Sequence, residues 1–418
     1  MPAIRDAPAP RLCDNPAMGR HRPCARRRLG QGFALAFLLA AIEPGPATAA
    51  GPASPPDSIG LPPVPDRIAA AWGRALAAPP PRPQPAGQHR GDDDVRPWQR
   101  PNTAASTTVF EKFPSNPVLR LGNKGSLDAG HAEYPSVVAV DDLLWMYYSA
   151  YGAHRRWEIA AAVSPDGISW TKLGVVFSPD TTAAAWDSTT IAFPCVLHTA
   201  GAPPAERFRM WYAGKRGPRY EGIGFATSAD GRAWRREGRV LAIGEAGAWD
   251  GVQVADPAVI AVDGGYRMYY CGAVDPDGLF AVGVALSADG RSWVKMPDNP
   301  VYTAGPASPG VYTVDVIRDG VGFILFVSAP GDGGDYEIRA IPSADGLVFD
   351  PAAGRVVLRP ARDNSWDDAM VYGMDVVPSG GELFMWFNGI YARNVAQGGE
   401  VGFARATQAA LAQLFGRF

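Results

Sequence analysis

Residues Trp249 to Tyr302 read WDGVQVADPAVIAVDGGYRMYYCGAVDPDGLFAVGVALSADGRSWVKMPDNPVY. Three β-rich runs stand in order, VADPAVIAV, YRMYYCGAV and FAVGVALS, followed by a tight SADGRSW turn and a short fourth strand. Runs of Val, Ile and Tyr broken by Gly and Asp carry the period of strands rather than of helices. The pattern occurs four more times. A repeat of about 55 to 65 residues with four strands in each unit is a propeller blade.

The second strands align as LLWMYYSA (143–150), FRMWYAG (208–214), YRMYYCG (266–272), FILFVSA (323–329) and LFMWFNG (383–389). The third align as IAAAVS (159–164), IGFATS (223–228), VGVALS (282–287), IRAIPS (338–343) and VGFARA (401–406). Four of these run into an Asp-Gly turn, at Asp166, Asp230, Asp289 and Asp345; the fifth does not. First strands align on VVAV, VLHT, VIAV, VIRD and VVPS, and Pro135, Pro194 and Pro257 precede three of them. The last blade lacks a fourth strand of its own, but Lys112-Phe-Pro-Ser-Asn-Pro-Val118 mirrors Lys295-Met-Pro-Asp-Asn-Pro-Val301. Residues 110–120 are therefore expected to supply the outer strand of blade five and latch the ring, hiding the edges of an open array. The chain reads as an all-β, five-bladed β-propeller of four-stranded antiparallel blades over 108–418, with a closing helix at 408–415.

Residues 1–49 carry the marks of an export signal. Arg20, Arg22 and Arg26 to Arg28 precede the apolar GFALAFLLAAI (32–42), and Ala47-Thr48-Ala49 offers a cleavage site. The apolar run is too short for a bilayer span, so a periplasmic or secreted location is expected, with no membrane span after cleavage. Residues 50–107, with PPPRPQP at 79–85 and GDDD at 91–94, read as a linker in which only Asp66 to Leu76 suits a helix. The formal charge is −3, yet residues 1–49 hold seven Arg against three acids, which leaves −7 for the remainder. An acidic chain without basic runs argues against nucleic acid or anionic membranes as partners. Cys13 and Cys24 fall in the signal; Cys195 and Cys271 read as buried small hydrophobes, with a disulfide permitted in an oxidising compartment. The five His are scattered, with no Cys/His metal spacing, Gly-rich phosphate loop or GxSxG elbow, so no metal or cofactor is expected. A monomer is expected.

A five-fold repeat separates folding from chemistry: what every blade shares serves the fold, and what breaks the pattern points to function. Trp186-Asp187, Trp249-Asp250, Trp366-Asp367 and Leu127-Asp128 each lie eight residues before the Pro position. Their recurrence argues for structure, although Asp187 and Asp250 stand close enough to the inner strands for a ligand to touch them. Among the pattern-breakers, Asp256 is the one carboxylate directly before the Pro position, where the other blades have Tyr134, Phe193, Thr313 and Gly373. One residue earlier, Glu133 stands against Ala192, Ala255, Tyr312 and Tyr372; one residue after it, Asp315 and Asp375 stand against Ser136, Cys195 and Ala258. Four unshared carboxylates thus gather at inner strand starts, either as working groups or as acids solvated by channel water. Loops that return to the same mouth carry Tyr151, His154, Arg155, Lys215, Arg216, Arg219, Asp275, Asp277, Asp332, Asp335, Asn388, Tyr391 and Arg393. Such a mixture around a wet cleft suits a carbohydrate, with Tyr134, Tyr312, Tyr372, Asn388, Lys215 and Arg216 as candidate substrate contacts.

With ADPAVIAVDGGYRMYYCG (255–272), AEYPSVVAVDDLLWMYYSA (132–150) and the SADGRSW turns, the chain resembles the five-bladed propeller glycoside hydrolases of families 32, 43, 62, 68 and 130. The resemblance covers the whole ring. It implies glycosidic bond cleavage by paired carboxylates, with Asp256 of Asp256-Pro257 as base or nucleophile and Glu133 of Glu133-Tyr134-Pro135 as acid. Asp315 and Asp375 resemble the supporting acid, although Val314 and Met374 replace its Pro. In those families the base is usually in the first blade and the acid in the third; here the two are exchanged. A non-catalytic carbohydrate-binding or scaffold propeller, or a glycan-transferring enzyme, would fit the same features.

Overall fold

Every apolar run of the repeat becomes a strand, and the strands assemble in sequence order from the channel outward. The computed structural model describes residues 108–416 apart from 183, 276–279, 305–309, 321, 332–334, 362–364 and 392–397. The export signal, the linker with its short helix, Cys13, Cys24, Asp277, Asp332 and Arg393 lie outside the described residues. After the short β1 (Glu111–Lys112), blade one comprises β2 (His131–Val140), β3 (Leu143–Tyr151), β4 (Trp157–Ser164) and β5 (Thr171–Phe177). Blade two follows with β6 (Thr190–His198), β7 (Phe208–Lys215), β8 (Gly222–Ser228) and β9 (Trp234–Ala242). Blade three has β10 (Gln253–Val262), β11 (Gly265–Ala273), β12 (Ala281–Ser287) and β13 (Val294–Lys295). Blade four has β14 (Thr313–Arg318), β15 (Phe323–Pro330), β16 (Tyr336–Ser343) and β17 (Arg355–Leu358). Blade five takes β18 (Met370–Ser379), β19 (Glu382–Ile390) and β20 (Glu400–Thr407) from the end of the chain and β1 from its front.

Neighbouring strands within each blade are antiparallel, and one parallel bridge, Tyr336 to Met370, joins blades four and five. The innermost strands β2, β6, β10, β14 and β18 touch in turn, and β18 touches β2 again, which closes the ring. Latching occurs as the Lys112/Lys295 correspondence predicts. Glu111 lies opposite Arg405 on β20, and Leu119 then bridges Val401. Both mirrored segments contain a cis Asn-Pro bond, Asn116-Pro117 and Asn299-Pro300. A helix, α1 (Gln408–Leu414), follows β20, its first turn capped by the Thr407 hydroxyl accepting from the Ala410 N–H. Cys195 and Cys271 are free thiols.

Apolar side chains from adjacent sheets fill the space between blades, as where Val138, Tyr147 and Ile159 of blade one meet Val196, Phe208 and Met210 of blade two. Two polar contacts repeat with the blades. In the first, a large second-strand residue donates to the Asp-Gly turn of the next blade. Tyr147 Oη reaches the Gly231 carbonyl (3.0 Å), Trp211 Nε1 that of Gly290 (2.9 Å), Tyr269 Oη that of Gly346 (2.9 Å) and Trp386 Nε1 that of Gly167 (2.9 Å). Blade five has no such turn, and the corresponding residue on blade four is Phe326, which has nothing to donate. In the second contact, a buried Asp accepts from a second-strand Tyr and an outer-strand cation. Tyr148 and Lys172 bond Asp128, Tyr212 and Arg236 bond Asp187, and Tyr270 and Lys295 bond Asp250. Lys112 supplies the cation to Asp367 in blade five.

Asp187 and Asp250 therefore do not face a ligand. They are 1% and 2% exposed and committed to this recurring contact, because a carboxylate buried between strands needs a counter-charge and hydrogen bonds. Lys112→Met would leave Asp367, 1% exposed, without its cation; removing one partner of a buried pair costs about 3 kcal/mol. Urea denaturation of the variant should show that loss, whereas Glu111→Gln, at a 59% exposed side chain, should fall within about 0.5 kcal/mol of the parent.

Candidate functional site

The ring is threaded by a channel, and its shape follows from a local backbone irregularity. Strands β2, β6, β10 and β18 each carry a bulge, with register shifts at Glu133/Ser136, Ala192/Cys195, Ala255/Ala258 and Tyr372/Asp375. At each bulge one residue has positive φ: Tyr134 (56°), Phe193 (55°), Asp256 (52°) and Gly373 (52°). Gly takes that conformation most easily, so Tyr134 and Phe193 held there are costly, Asp256 less so, and together they mark the site. A bulge bends the strand and re-aims its side chains; all four of these residues line the channel. Pro135, Pro194 and Pro257 fit directly after them, since a bulge is where Pro leaves no ladder bond unmade. Neighbouring blades hold the bulges in place. Asn388 Oδ1 accepts from the Tyr134 N–H (2.7 Å), Ser149 Oγ from that of Phe193 (2.9 Å) and Thr313 Oγ1 from that of Gly373 (3.0 Å).

Past the bulges the channel narrows to about 30 Å³, lined by Ser136, Cys195, Ala258, Asp315 and Asp375 among others. That is room for a water or two and not for a sugar. Four of these residues each accept from a backbone N–H of the following blade. Ser136 Oγ takes Val196 (3.0 Å), Cys195 Sγ Val259 (3.2 Å), Asp315 Oδ2 Val376 (2.7 Å) and Asp375 Oδ2 Val137 (3.1 Å). Asp315 and Asp375, expected as supporting acids, thus occupy the same structural place as Ser136 and Cys195. Burial raises the pKa of both, and the charge of Asp315 raises Asp375 further. Ala258 cannot make the corresponding bond from blade three; there Asp256 Oδ2 accepts from the Val314 N–H (2.6 Å) instead.

On the other side of the bulges lies a recess of about 230 Å³. Its walls are Tyr134, Trp157, Phe193, Tyr220, Phe280 and Tyr312, with Gln253, Ala255, Asp256 and Cys271 completing the lining. The rings pack edge to face or tilted: Tyr134 lies 4.2 Å from Phe193, Phe193 5.3 Å from Tyr220, and Tyr312 5.5 Å from Tyr372. Tyr134 and Tyr312 join through their hydroxyls at 3.0 Å. Asp256 is the carboxyl that opens on this recess among the described residues. Burial pushes its pKa up to about 8, against the Val314 N–H bond, which pulls the other way. At neutral pH it is largely the neutral acid. The Cys271 thiol lies 3.9 Å from its Oδ2.

Glu133 is near but does not line the recess. Its carboxylate is taken by His131 Nδ1 (2.7 Å), by the Gly399 N–H (2.7 Å) and by Tyr372. Tyr312 lines the recess beside Asp256, and its ring lies 5.5 Å from that of Tyr372, which bonds Glu133, so the two carboxyls share one end of the channel. Tyr134, Tyr312 and Tyr372 all meet there. Asn388, expected to contact substrate, is fully buried; beyond holding Tyr134 it donates to the Ala132 and Glu400 carbonyls (3.1 Å each). Lys215 stands beside the recess, with Nζ 5.0 Å from the centre of the Tyr220 ring, and Arg216 is exposed. Trp157, Phe193, Tyr220, Gln253, Cys271, Phe280 and His131 were not among the sequence candidates. Trp157 and Phe280 carry a signal in the alignment: with Tyr336 they stand two residues before Ile159, Val282 and Ile338.

No family model matches the chain. Two uncharacterised proteins of Mycobacterium tuberculosis, from two strains, are 26% identical to it over 212 residues. The match covers 47% of this chain and 65% of each relative, less than two thirds of their length. Among solved structures, one described as a glycoside hydrolase superposes with a TM-score of 0.55 at 20% identity, over 69% of this chain and 92% of its own. A glycosyl hydrolase from Bacteroides ovatus gives 0.53 at 16% identity, over 72% and 94%. A member of family GH130, reported to contain hydrolases that target β-1,2 mannosidic linkages in Candida mannan, gives 0.53 at 16%, over 72% and 95%. The fold is that of the propeller glycoside hydrolases. Within that propeller, the recess lies where bulged inner strands meet the mouth.

Asp256 couples the site to stability. Its carboxyl titrates near 8 when folded and near 4 when unfolded. The contribution is complete below about pH 4 and is lost as pH rises through 8, because the unfolded chain then releases the proton more readily. Thermal denaturation should show the melting temperature falling between pH 5 and pH 9, and Asp256→Asn, uncharged throughout, should fall less steeply.

Proposed function

We propose that the protein is an exported glycoside hydrolase that accepts one sugar ring in the aromatic recess and uses Asp256 as proton donor. The observation that carries this reading is a buried carboxyl, raised to about pH 8, set in a strained bulge on the wall of an aromatic cavity. A recess of about 230 Å³ is below the usual span of sites for larger ligands, roughly 300–1,000 Å³, and suits a single ring. Flat apolar ring faces stack on aromatic side chains, while Gln253 and the tyrosine hydroxyls offer hydrogen bonds to sugar hydroxyls.

In this scheme Asp256 gives its proton to the glycosidic oxygen as the bond from that oxygen to the anomeric carbon breaks. Water adds to the carbon and releases a proton to a base. Glu133, the second carboxylate at this end of the channel, takes that role through an intervening water, since it does not itself line the recess; its position is fixed by His131, the Gly399 N–H and Tyr372. The roles are then the reverse of those the resemblance implies, for a physical reason: desolvation keeps Asp256 protonated, and an acid must carry its proton at working pH. Asp315 and Asp375 support the ring, not the reaction.

A second reading has its own support. One carboxyl opens on the recess while Glu133, Asp315 and Asp375 are engaged elsewhere, as in a carbohydrate-binding propeller without catalysis. Purified protein incubated with a panel of oligosaccharides and followed by mass spectrometry separates the two. The hydrolase reading expects cleavage that drops at least 100-fold in Asp256→Asn, in line with the usual 10²–10⁴ for an acid catalyst, with binding kept. Binding without turnover in the parent would establish the second reading.

A further inference from the structure

One loop beside the recess carries charge that the fold does not use. Between β7 and β8 the chain reads Lys215-Arg-Gly-Pro-Arg-Tyr-Glu221. Both of its ends are clamped. The Thr189 N–H and hydroxyl both donate to the Lys215 carbonyl (3.0 and 2.7 Å). At the other end Tyr220, a recess residue, donates its N–H to Gln253 Oε1 (3.3 Å), and its carbonyl accepts from Val254 (3.1 Å). Glu221 then bridges Val254 of blade three. The loop is thus fixed to two residues that build the cavity, Tyr220 and Gln253.

Lys215 is half-buried. Its Nζ lies over the Tyr220 ring at 5.0 Å and touches one carbonyl, that of Pro218, at 3.5 Å. No carboxylate pairs with Lys215, Arg216 or Arg219 among the described residues. Glu221, the acid of the loop, turns Oε1 to the Gly217 N–H (3.3 Å). Elsewhere in this acidic chain, cations in comparable half-buried positions are matched: Lys172 to Asp128, Arg236 to Asp187, Lys295 to Asp250 and Arg339 to Glu337. Withdrawing an ammonium from water without a counter-charge is unfavourable, and burial lowers the pKa of Lys215 accordingly. Such a group, kept beside a cavity, is a mark of ligand binding.

We propose that Lys215, together with Arg216 and Arg219 of the same loop, forms an anion subsite at the rim of the recess, and that the glycan taken there bears a carboxylate or sulfate group. This deepens the carbohydrate reading and rests on it. The sugar ring lies among Tyr134, Phe193, Tyr220 and Tyr312, and its anionic substituent reaches the Lys215 ammonium over the edge of Tyr220. Asp256, largely neutral at pH 7, adds little repulsion within the cavity. Arg216, which is exposed, and Arg219, half-buried like Lys215, add positive charge to the loop and raise the rate of encounter with an anionic chain, an effect that salt weakens.

The test is a glycan array carrying uronate-containing, sulfated and neutral oligosaccharides, probed with the purified protein at low and high NaCl. The parent should prefer acidic glycans over their neutral counterparts by about tenfold or more, a difference of about 1.4 kcal/mol. Lys215→Met and Arg219→Met, each checked by thermal melting against the parent, should weaken binding of acidic glycans more than that of neutral ones and so lower that preference. Preference for uronates alone or sulfates alone identifies the group and supports the subsite. Equal binding of acidic and neutral glycans, or a preference that survives both substitutions, overturns the subsite and leaves the carbohydrate reading standing. A parent that binds no glycan overturns both.

Discussion

The innermost strand of each blade has a free edge, and its backbone N–H groups point into a channel too narrow for bulk water. Buried backbone donors need partners, and the next sheet lies at the wrong angle to provide a ladder. Side chains from the preceding blade fill the need: Ser136, Cys195, Asp315 and Asp375 each take an N–H of the blade that follows. This requirement explains why unshared polar residues gather at the channel without any of them having to act on a ligand. It also explains the exception. Blade three presents Ala258, so Asp256 bonds across to Val314 from the bulge itself, and its carboxyl faces the recess.

Bulges extend the same logic. Each displaces one backbone N–H from its ladder, and Asn388, Ser149 and Thr313 accept those of Tyr134, Phe193 and Gly373. At the place corresponding to Ser149, blade two presents Ala213, which offers no acceptor to Asp256. The result is a ring over-determined by packing, able to keep Tyr134, Phe193 and Asp256 at positive φ. Such strain persists where surrounding structure enforces it, and it shapes the recess. Farther out, the bonds to the Asp-Gly turns and the buried Asp sites couple each blade to its neighbour or to its own outer strand, so the cavity stands on a rigid frame.

Much of this frame is legible in the residues. A Tyr or Trp precedes every blade that has an Asp-Gly turn, and Phe326 precedes the one that lacks it. Lys112 and Lys295 stand in matching segments because both carry the cation that a buried Asp requires. The candidate site was less legible. Asp256 and Glu133 stand out by composition, and so do Asp315 and Asp375, yet only Asp256 opens on the cavity. Asn388 reads as a ligand group in a loop but lies within β19, fully buried. His131 lies at a strand start with no pattern to single it out, and its contact with Trp157 at 4.7 Å exists only once β2, β3 and β4 pair within blade one.

By itself the sequence determined the repeat, the strand order, the latch by residues 110–120 and which positions differ between blades. Those are matters of period and of like residues at like places, which a linear string records. Tertiary structure decided what the differing residues do, because hydrogen bonding and desolvation depend on which neighbours arrive from other blades. Four carboxylates of one chemical type thus became one neutral acid in a cavity, one tethered partner and two clasps between blades.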